Sequence, residues 1–211
     1  MANANLARLV GHAFGDGNIH KRKFYFIYTN SNRKLREIVK KIIKKEFKEV
    51  KITHRKSGKK IPQLQFPAKI GRKIIEMGGI AGSKVRQPTK IPEWIKNGSK
   101  KIKANFLAAI FDDEGYFRDT SGCKQIVLKF SKLKSLEANL DEFLGEIRQL
   151  LQDLGIRVSP IKNDQLKQNK KGETIISKRI WITGKENFKE FKRKIPIVHP
   201  EKVRKLSNLC S

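Results

Sequence analysis

Two nine-residue stretches of one pattern constrain this chain more than anything else in it: LVGHAFGDG at residues 9–17 and LAAIFDDEG at 107–115. Each is an apolar, small-residue helical run that ends abruptly in acid and glycine. In register, Leu9 stands over Leu107, Gly11 over Ala109, Asp16 over Glu114 and Gly17 over Gly115, 98 residues apart in a chain of 211. A repeat at close to half the chain length predicts two pseudo-equivalent halves. In the second copy Ala104, Leu107, Ala108 and Phe111 recur at three- and four-residue steps, one face of a helix. Asp112, Asp113 and Glu114 crowd its C-terminus, where the macrodipole disfavours negative charge, and Gly115 is a natural helix-ending residue. Fold stability does not account for carboxylates gathered there; a bound cation does. In the first copy Ala7, Gly11 and Gly15 form a stripe of small side chains, which predicts close helix–helix contact through Gly11 and Ala109.

The text after each motif also runs in parallel. A hairpin and strand are expected over 21–29, a helix over 34–47, paired strands over 50–55 and 61–66 with Val50, Ile52, His54, Leu64 and Phe66 on their apolar face, and a helix over 68–77. The second half repeats this with a strand pair ending at 131, an amphipathic helix over 136–154, an alternating pair 156–159 and strand 176–183 with Ile180 and Ile182 inward, and a last helix carrying Phe188 and Phe191. Residues 82–98 read as a connecting loop and 163–172 as a polar, lysine-rich loop. The expected fold class is α+β: two αββαββα repeats, over 1–97 and 98–211, with antiparallel sheets covered by helices on one face and forming a saddle, and the motif helices packed at the central seam.

Charge decides the partner. Lys and Arg number 48 against 20 Asp and Glu, giving +28, whereas solubility of a small domain calls for a magnitude of roughly 2–8. The excess points to a polyanion. No apolar stretch approaches the roughly 18 residues that suggest a membrane span, and the first ten residues lack the pattern of a secretory leader. Two distant cysteines, Cys123 and Cys210, read as reduced thiols of an intracellular protein. The four scattered histidines have no zinc-ligand spacing.

These nonapeptides resemble the motif of the LAGLIDADG homing endonucleases, in the single-chain form with two motif copies, and the resemblance covers the whole chain. Ala109 replaces the motif glycine, and Asp113 stands where a small residue is commoner. The resemblance implies a monomeric, site-specific endonuclease of intron-homing type that cuts both strands of a long, asymmetric double-stranded DNA site. Hydrolysing a phosphodiester calls for an activated water and charge neutralisation, which paired divalent metals supply. Asp16 and Glu114 would hold Mg²⁺, two or more ions with other divalent cations able to substitute, together with the helix-end carbonyls of Gly15 and Asp113. The family also implies a basic and a polar residue near the end of each half's second strand. Ser131-Lys132 fills that place in the second half, making Lys132 a catalytic candidate with Lys129 and Lys134 as substitutes; Asn30-Ser31 in the first half lacks a lysine.

The outward sheet faces are expected to carry Lys51, Thr53, Arg55, Gln63 and Gln65 in the first half, with Lys21 in the turn and Lys23 opening the strand that follows it. In the second half they carry Arg118, Gln125, Lys129, Arg157, Ser159, Ser177 and Arg179. Arg and Lys to guanine and Gln to adenine are the pairings that read a major groove; a merely solvated sheet face is the alternative. Two rivals share the fold: a maturase that binds intron RNA to assist splicing, and a DNA-binding regulator that does not cut. No intein splicing is expected, since the stretch shows neither a leading Cys or Ser nor a terminal His-Asn pair.

Overall fold

In the computed structural model, which describes residues 3–211, Asn3 opens the first helix by accepting a hydrogen bond from the Leu6 amide at 2.9 Å. That satisfies one of the orphan donors of a helix start. Residues 1 and 2, which belong to the expected first half and to the stretch read for a leader, lie outside the described residues. Helix α1 runs Ala4–Phe14, and every residue from Ala7 to Phe14 is buried. The first half continues as β1 (Gly17–Ile19), β2 (Phe26–Thr29), α2 (Arg33–Phe47), β3 (Thr53–Lys56), β4 (Pro62–Phe66) and α3 (Ala68–Glu76). A 3₁₀ turn (Lys84–Arg86) and α4 (Glu93–Lys96) lead into α5 (Lys100–Glu114). The second half is α5, β5 (Gly115–Thr120), β6 (Cys123–Leu133), α6 (Glu137–Asp153), β7 (Lys162–Gln168), β8 (Thr174–Ile182), α7 (Lys185–Lys194) and α8 (Pro200–Cys210).

The sheets are antiparallel and share one topology. Their strand orders are β1-β2-β4-β3 and β5-β6-β8-β7, the same order shifted by four strands, as a duplicated unit requires. Alternation gives each sheet its inner face: Phe26, Tyr28, Leu64 and Phe66 in the first, and Ile126, Leu128, Ile180 and Ile182 in the second, are almost fully buried. Helices cover those faces.

The halves share a seam rather than a linker. A β-carbon at Gly11 would lie 2.6 Å from the Phe106 carbonyl oxygen and 2.7 Å from the Ala109 β-carbon. Only glycine therefore lets α1 and α5 approach this closely, and the contact pairs Gly11 with Ala109. Around it α1 serves two cores. Leu9 and Ala13 pack with the first sheet. Ala7, Val10 and Phe14 pack into the second half, where Phe14 stacks on Phe143 at 5.9 Å and meets Phe106 edge-on at 5.8 Å.

Four sequence expectations change. Residues 156–159 form no strand; the stretch read as a polar loop holds β7 instead, an edge strand exposed along nearly its whole length. An edge strand with no buried face carries no apolar alternation to be read. Strand β3 is likewise exposed throughout: His54 pairs with buried Leu64 and so lies on its face, yet it stays open to solvent, and Lys51 precedes the strand. The connector over 82–98 is structured and tied to α6: Asn139 accepts from the Thr89 amide and Glu146 from the Ile91 amide, each at 2.7 Å. Helix α8 adds to the seven-element repeat, burying Leu206 and Leu209.

Candidate active site and nucleic-acid interface

Because α1 and α5 cross at Gly11 and Ala109, their C-terminal ends come together, bringing one acid from each half to the same place. Asp16 is partly buried. Burial, followed by the charges of Asp113 and Glu114, pushes its carboxyl up to about 7, against a hydrogen bond from Asn30 and the nearby Lys84. The Asn30 amide donates to Asp16 Oδ2 at 2.6 Å, so the polar residue expected at the end of the first half's second strand does reach the acid. Glu114 is open to solvent, yet the surrounding protein raises its carboxyl above the ordinary value, with Lys84 opposing.

Asp113 has a structural role that its own half does not reveal. Its carboxylate crosses the seam to accept from Tyr28 Oη at 2.7 Å, from the His12 ring at 3.0 Å and from the Asp16 amide at 3.1 Å. A carboxylate is an acceptor only, so the His12 proton sits on Nδ1. All these partners belong to the first half, and one of them is the backbone of the site acid itself. Asp112 points the other way, to Arg8 at 2.6 Å and to the amides of Val198 and His199 at 3.0 and 2.9 Å. Burial lowers the Arg8 pKa and raises that of Asp112 despite their attraction. This pair fastens the C-terminal segment to the seam.

Two lysines that the sequence reading missed complete the charge balance. Lys84 Nζ donates to the carbonyls of Ala13, Phe14, Gly15 and Gly17, at 3.3 Å, 2.9 Å, short range and 3.0 Å respectively. Lys202 Nζ donates to those of Phe111, Asp112 and Asp113 at 3.0, 2.6 and 3.4 Å. In motif register Ala13, Phe14 and Gly15 correspond to Phe111, Asp112 and Asp113, so the two ammonium groups sit on equivalent carbonyls of the two helices. A cation at a helix C-terminus is favoured by the macrodipole. Burial lowers both lysine pKa values, while the Asp and Glu charges around them oppose the shift. The sequence does hold a signal: Lys-Val-Arg occurs at 84–86 and again at 202–204.

Lys132, the expected catalytic lysine, is buried and turned toward the connector. Its ammonium donates to the carbonyls of Lys84 and Gln87 and to Thr89 Oγ1, at 2.9, 2.6 and 2.6 Å, and burial lowers its pKa to about 8. In this arrangement it holds the turn that presents Lys84. Of its suggested substitutes, Lys134 pairs with Glu137 and Lys129 with Asp164.

Among the described residues no three His, Cys, Asp or Glu converge on a metal position. Asp16, Glu114 and the carbonyls of Gly15 and Asp113 are nevertheless hard oxygen donors of the kind Mg²⁺ takes, with phosphate and water completing its shell. Lys84 and Lys202 already stand on those carbonyls as cations, so the donor set fits a divalent ion.

The outward faces line up as rows across the strands. In the first sheet Thr29–Gln63–Arg55 and Ile27–Gln65–Thr53 are register partners, with Gln63 donating to Thr29 at 2.9 Å. Lys21 and Lys23 are exposed in the β1–β2 turn, and Lys51 is exposed beside β3. In the second sheet the rows are Arg118–Gln125, Lys129–Arg179–Lys162 and Ser131–Ser177–Gln165. Lys162 and Gln165 therefore join the face, supplied by the strand read as a loop. An irregularity in β7 between Asn163 and Gln165 accompanies a bridge by Asp164, which binds both Lys129 and Arg179 at 2.8 and 3.2 Å. Two expected contacts are spent elsewhere. Ser177 is buried, its hydroxyl paired with Ser131 at 2.7 Å. Ser159 accepts from the Trp181 amide and donates to the Pro160 carbonyl, each at 2.9 Å. Arg157 is exposed but lies outside any strand.

Residues 101–196 match a LAGLIDADG-like domain, and the paired helices, their acid ends and the twin sheets extend that architecture to both halves. This is the LAGLIDADG fold, with both motif copies in one chain. The homing endonuclease I-DmoI, solved in complex with DNA and Ca, superposes with a TM-score of 0.61 at 15% identity over 97% of each chain. Full-length DUF199/WhiA from Thermatoga maritima gives 0.57 at 10% identity over 97% of this chain and 59% of that one. Among curated proteins, the tRNA-splicing ligase RtcB of Methanopyrus kandleri is 29% identical over 93% of this chain and 21% of its own length. In Methanocaldococcus jannaschii, the RNA polymerase subunit Rpo1N is 24% identical over 96% of this chain and 16% of its length. The replication factor C small subunit is 29% identical over 86% and 11%. The chain thus spans about a fifth or less of the length of these relatives.

Proposed function

We propose that this LAGLIDADG chain is a site-specific homing endonuclease that hydrolyses both strands of a long asymmetric duplex site. In this reading it acts as a monomer inside the cell, uses Mg²⁺, and its halves, 1–97 and 98–211, each read one half-site. The observation that carries the reading is the meeting of Asp16 and Glu114, one acid from each half, at the helix ends between two outward polar sheet faces. Divalent ions bound there supply an activated water and charge neutralisation at the scissile phosphate. Asp16 and Glu114 would hold them with the carbonyls of Gly15 and Asp113, while Asn30 and Asp113 orient Asp16.

The rows of Arg, Lys, Gln and Thr have the donors and acceptors that discriminate bases in a major groove, into which a β-ribbon fits. The deep, narrow major groove of A-form RNA would exclude the same strands, which favours DNA over intron RNA. I-DmoI structures with target DNA and with Mn or Ca support the same partner and cofactor class. A segment of one size that recurs within proteins of unrelated name supports a mobile element. It favours an in-frame insertion as the carrier over the intron expected from sequence.

Selection of cleaved sites from a randomised duplex library with Mg²⁺ tests the activity. Asp16→Asn and Glu114→Gln should bind the selected site within roughly a few-fold of the parent and leave it uncut, since these carboxylates contact no bases. Normal cutting by either variant would remove that residue from the site. Sequence-specific binding without any cutting by the parent would make the protein a regulator instead.

A further inference from the structure

Between the two motif helices the protein carries its own cations. Each helix end gathers partial negative charge from carbonyls with no partner inside the helix, and four acids, Asp16, Asp112, Asp113 and Glu114, lie beside them. Arg8 takes up Asp112. The remaining charge is met by Lys84 and Lys202, whose ammonium groups sit on register-equivalent carbonyls. Both groups are held there against the cost of burial.

We propose, resting on the reading that divalent cations are held at these helix ends, that Lys84 and Lys202 are exchangeable stand-ins for them. In the metal-free protein the two ammonium groups occupy the oxygens of Gly15 and Asp113, and they give those oxygens up when a divalent cation is bound. Both oxygens named as metal donors lie on the lysines, that of Gly15 directly on Lys84 and that of Asp113 at 3.4 Å from Lys202, and two like-charged cations do not share them without strong repulsion.

The surroundings suit a side chain that moves while its backbone stays. The Lys84 carbonyl is pinned by Lys132, which also grips Gln87 and Thr89, so the turn is fixed and only the flexible stem need swing. A cavity of about 300 Å³ adjoins it, lined by Phe14, Glu114, Phe130, Ser131 and Phe143 among others. Retracted into that space, Lys84 would remain beside Glu114 and come nearer the outward face at Lys129. Lys202 projects from α8, a separate helix whose backbone does not depend on the carbonyls it caps.

The test uses the full chain, free of metal, with ¹⁵N-labelled lysine, and Ca²⁺ alone as probe. Two slowly exchanging side-chain ammonium signals are expected, one lost in Lys84→Met and the other in Lys202→Met, with circular dichroism confirming that each variant is folded. Lys84→Gln and Lys202→Gln serve where a methionine variant is not. Ca²⁺ should abolish or strongly shift both parent signals. Calorimetry should show Ca²⁺ binding at least about tenfold tighter in Lys84→Met than in the parent, well within the Coulomb effect of a unit charge a few ångströms away. Binding by Lys84→Met with none detectable in the parent would also support exchange. Ca²⁺ binding that depends on Asp16 and Glu114 but leaves both ammonium signals unmoved would overturn the exchange and keep the metal site. No Ca²⁺ binding by the parent or by either lysine variant would overturn the metal reading, and the exchange with it.

Discussion

Gly11→Ala tests the seam most directly, because one added methyl group has opposite consequences at two glycines of this protein. At Gly11 the new β-carbon would lie 2.6 Å from the Phe106 carbonyl oxygen, a backbone atom, and 2.7 Å from the Ala109 β-carbon. Neither can rotate away, so α1 and α5 must part. An opening of about 0.5–1 Å forfeits roughly a quarter to a half of each dispersion contact across the seam. Overpacking of this kind costs about 1–3 kcal/mol, and the better helix propensity of alanine returns about 1 kcal/mol. The expected net loss is about 0–2 kcal/mol, or a fall of up to roughly 8 °C in Tm at about 2–4 °C per kcal/mol for a chain of this size. Gly145 is also helical, in α6, but a β-carbon there meets nothing within 4 Å. Gly145→Ala should therefore gain about 1 kcal/mol from propensity alone. Thermal melts of the two variants decide the matter. If Gly11→Ala raises Tm as much as Gly145→Ala, the helices do not meet backbone to backbone and the acids are not brought together by this contact.

Asp16, with its carboxyl raised to about 7 by burial and its acidic neighbours, keeps a proton in the folded state that the unfolded chain has released. The metal-free protein should therefore lose stability as pH rises from about 4 to about 7, and melts in a chelator should show Asp16→Asn with a shallower fall. Lys132→Met strands the Lys84 and Gln87 carbonyls and Thr89 Oγ1; urea unfolding should show a loss of about 1–3 kcal/mol, and an unchanged midpoint would refute its grip on the turn. Arg55→Ala or Arg179→Ala should relax discrimination at particular base pairs by about 1–3 kcal/mol per bidentate contact, whereas exposed Lys34→Ala should change little. Equal weakening by all of these on every sequence, in binding assays at fixed salt, would reduce the faces to a phosphate cushion.

What the sequence made legible is what repeats or alternates. The two nonapeptides reported the halves, the crossing helices and the paired acids because a helix seam demands small residues at fixed steps, and a β-carbon at Gly11 would stand 2.6 Å from the Phe106 carbonyl oxygen. Inner strand faces were legible for the same reason, through Leu64 and Phe66 or Ile180 and Ile182. Strand β7 was not: exposed along nearly its whole length, with Leu166 its one apolar residue, it shows no alternation, and its pairing with β8 runs through backbone hydrogen bonds that any side chain permits. Asp113 looked like a misplaced charge because its partners, Tyr28, His12 and the Asp16 amide, come from the other half. Lys84 and Lys202 were hidden among 48 basic residues, since an ammonium that reaches back to a helix end from a distant turn or helix leaves no period behind. The candidate-site residues that escaped detection are thus those whose contacts join segments far apart in the chain. The repeated Lys-Val-Arg became informative only once the fold had set both copies against the same carbonyls of the two motif helices.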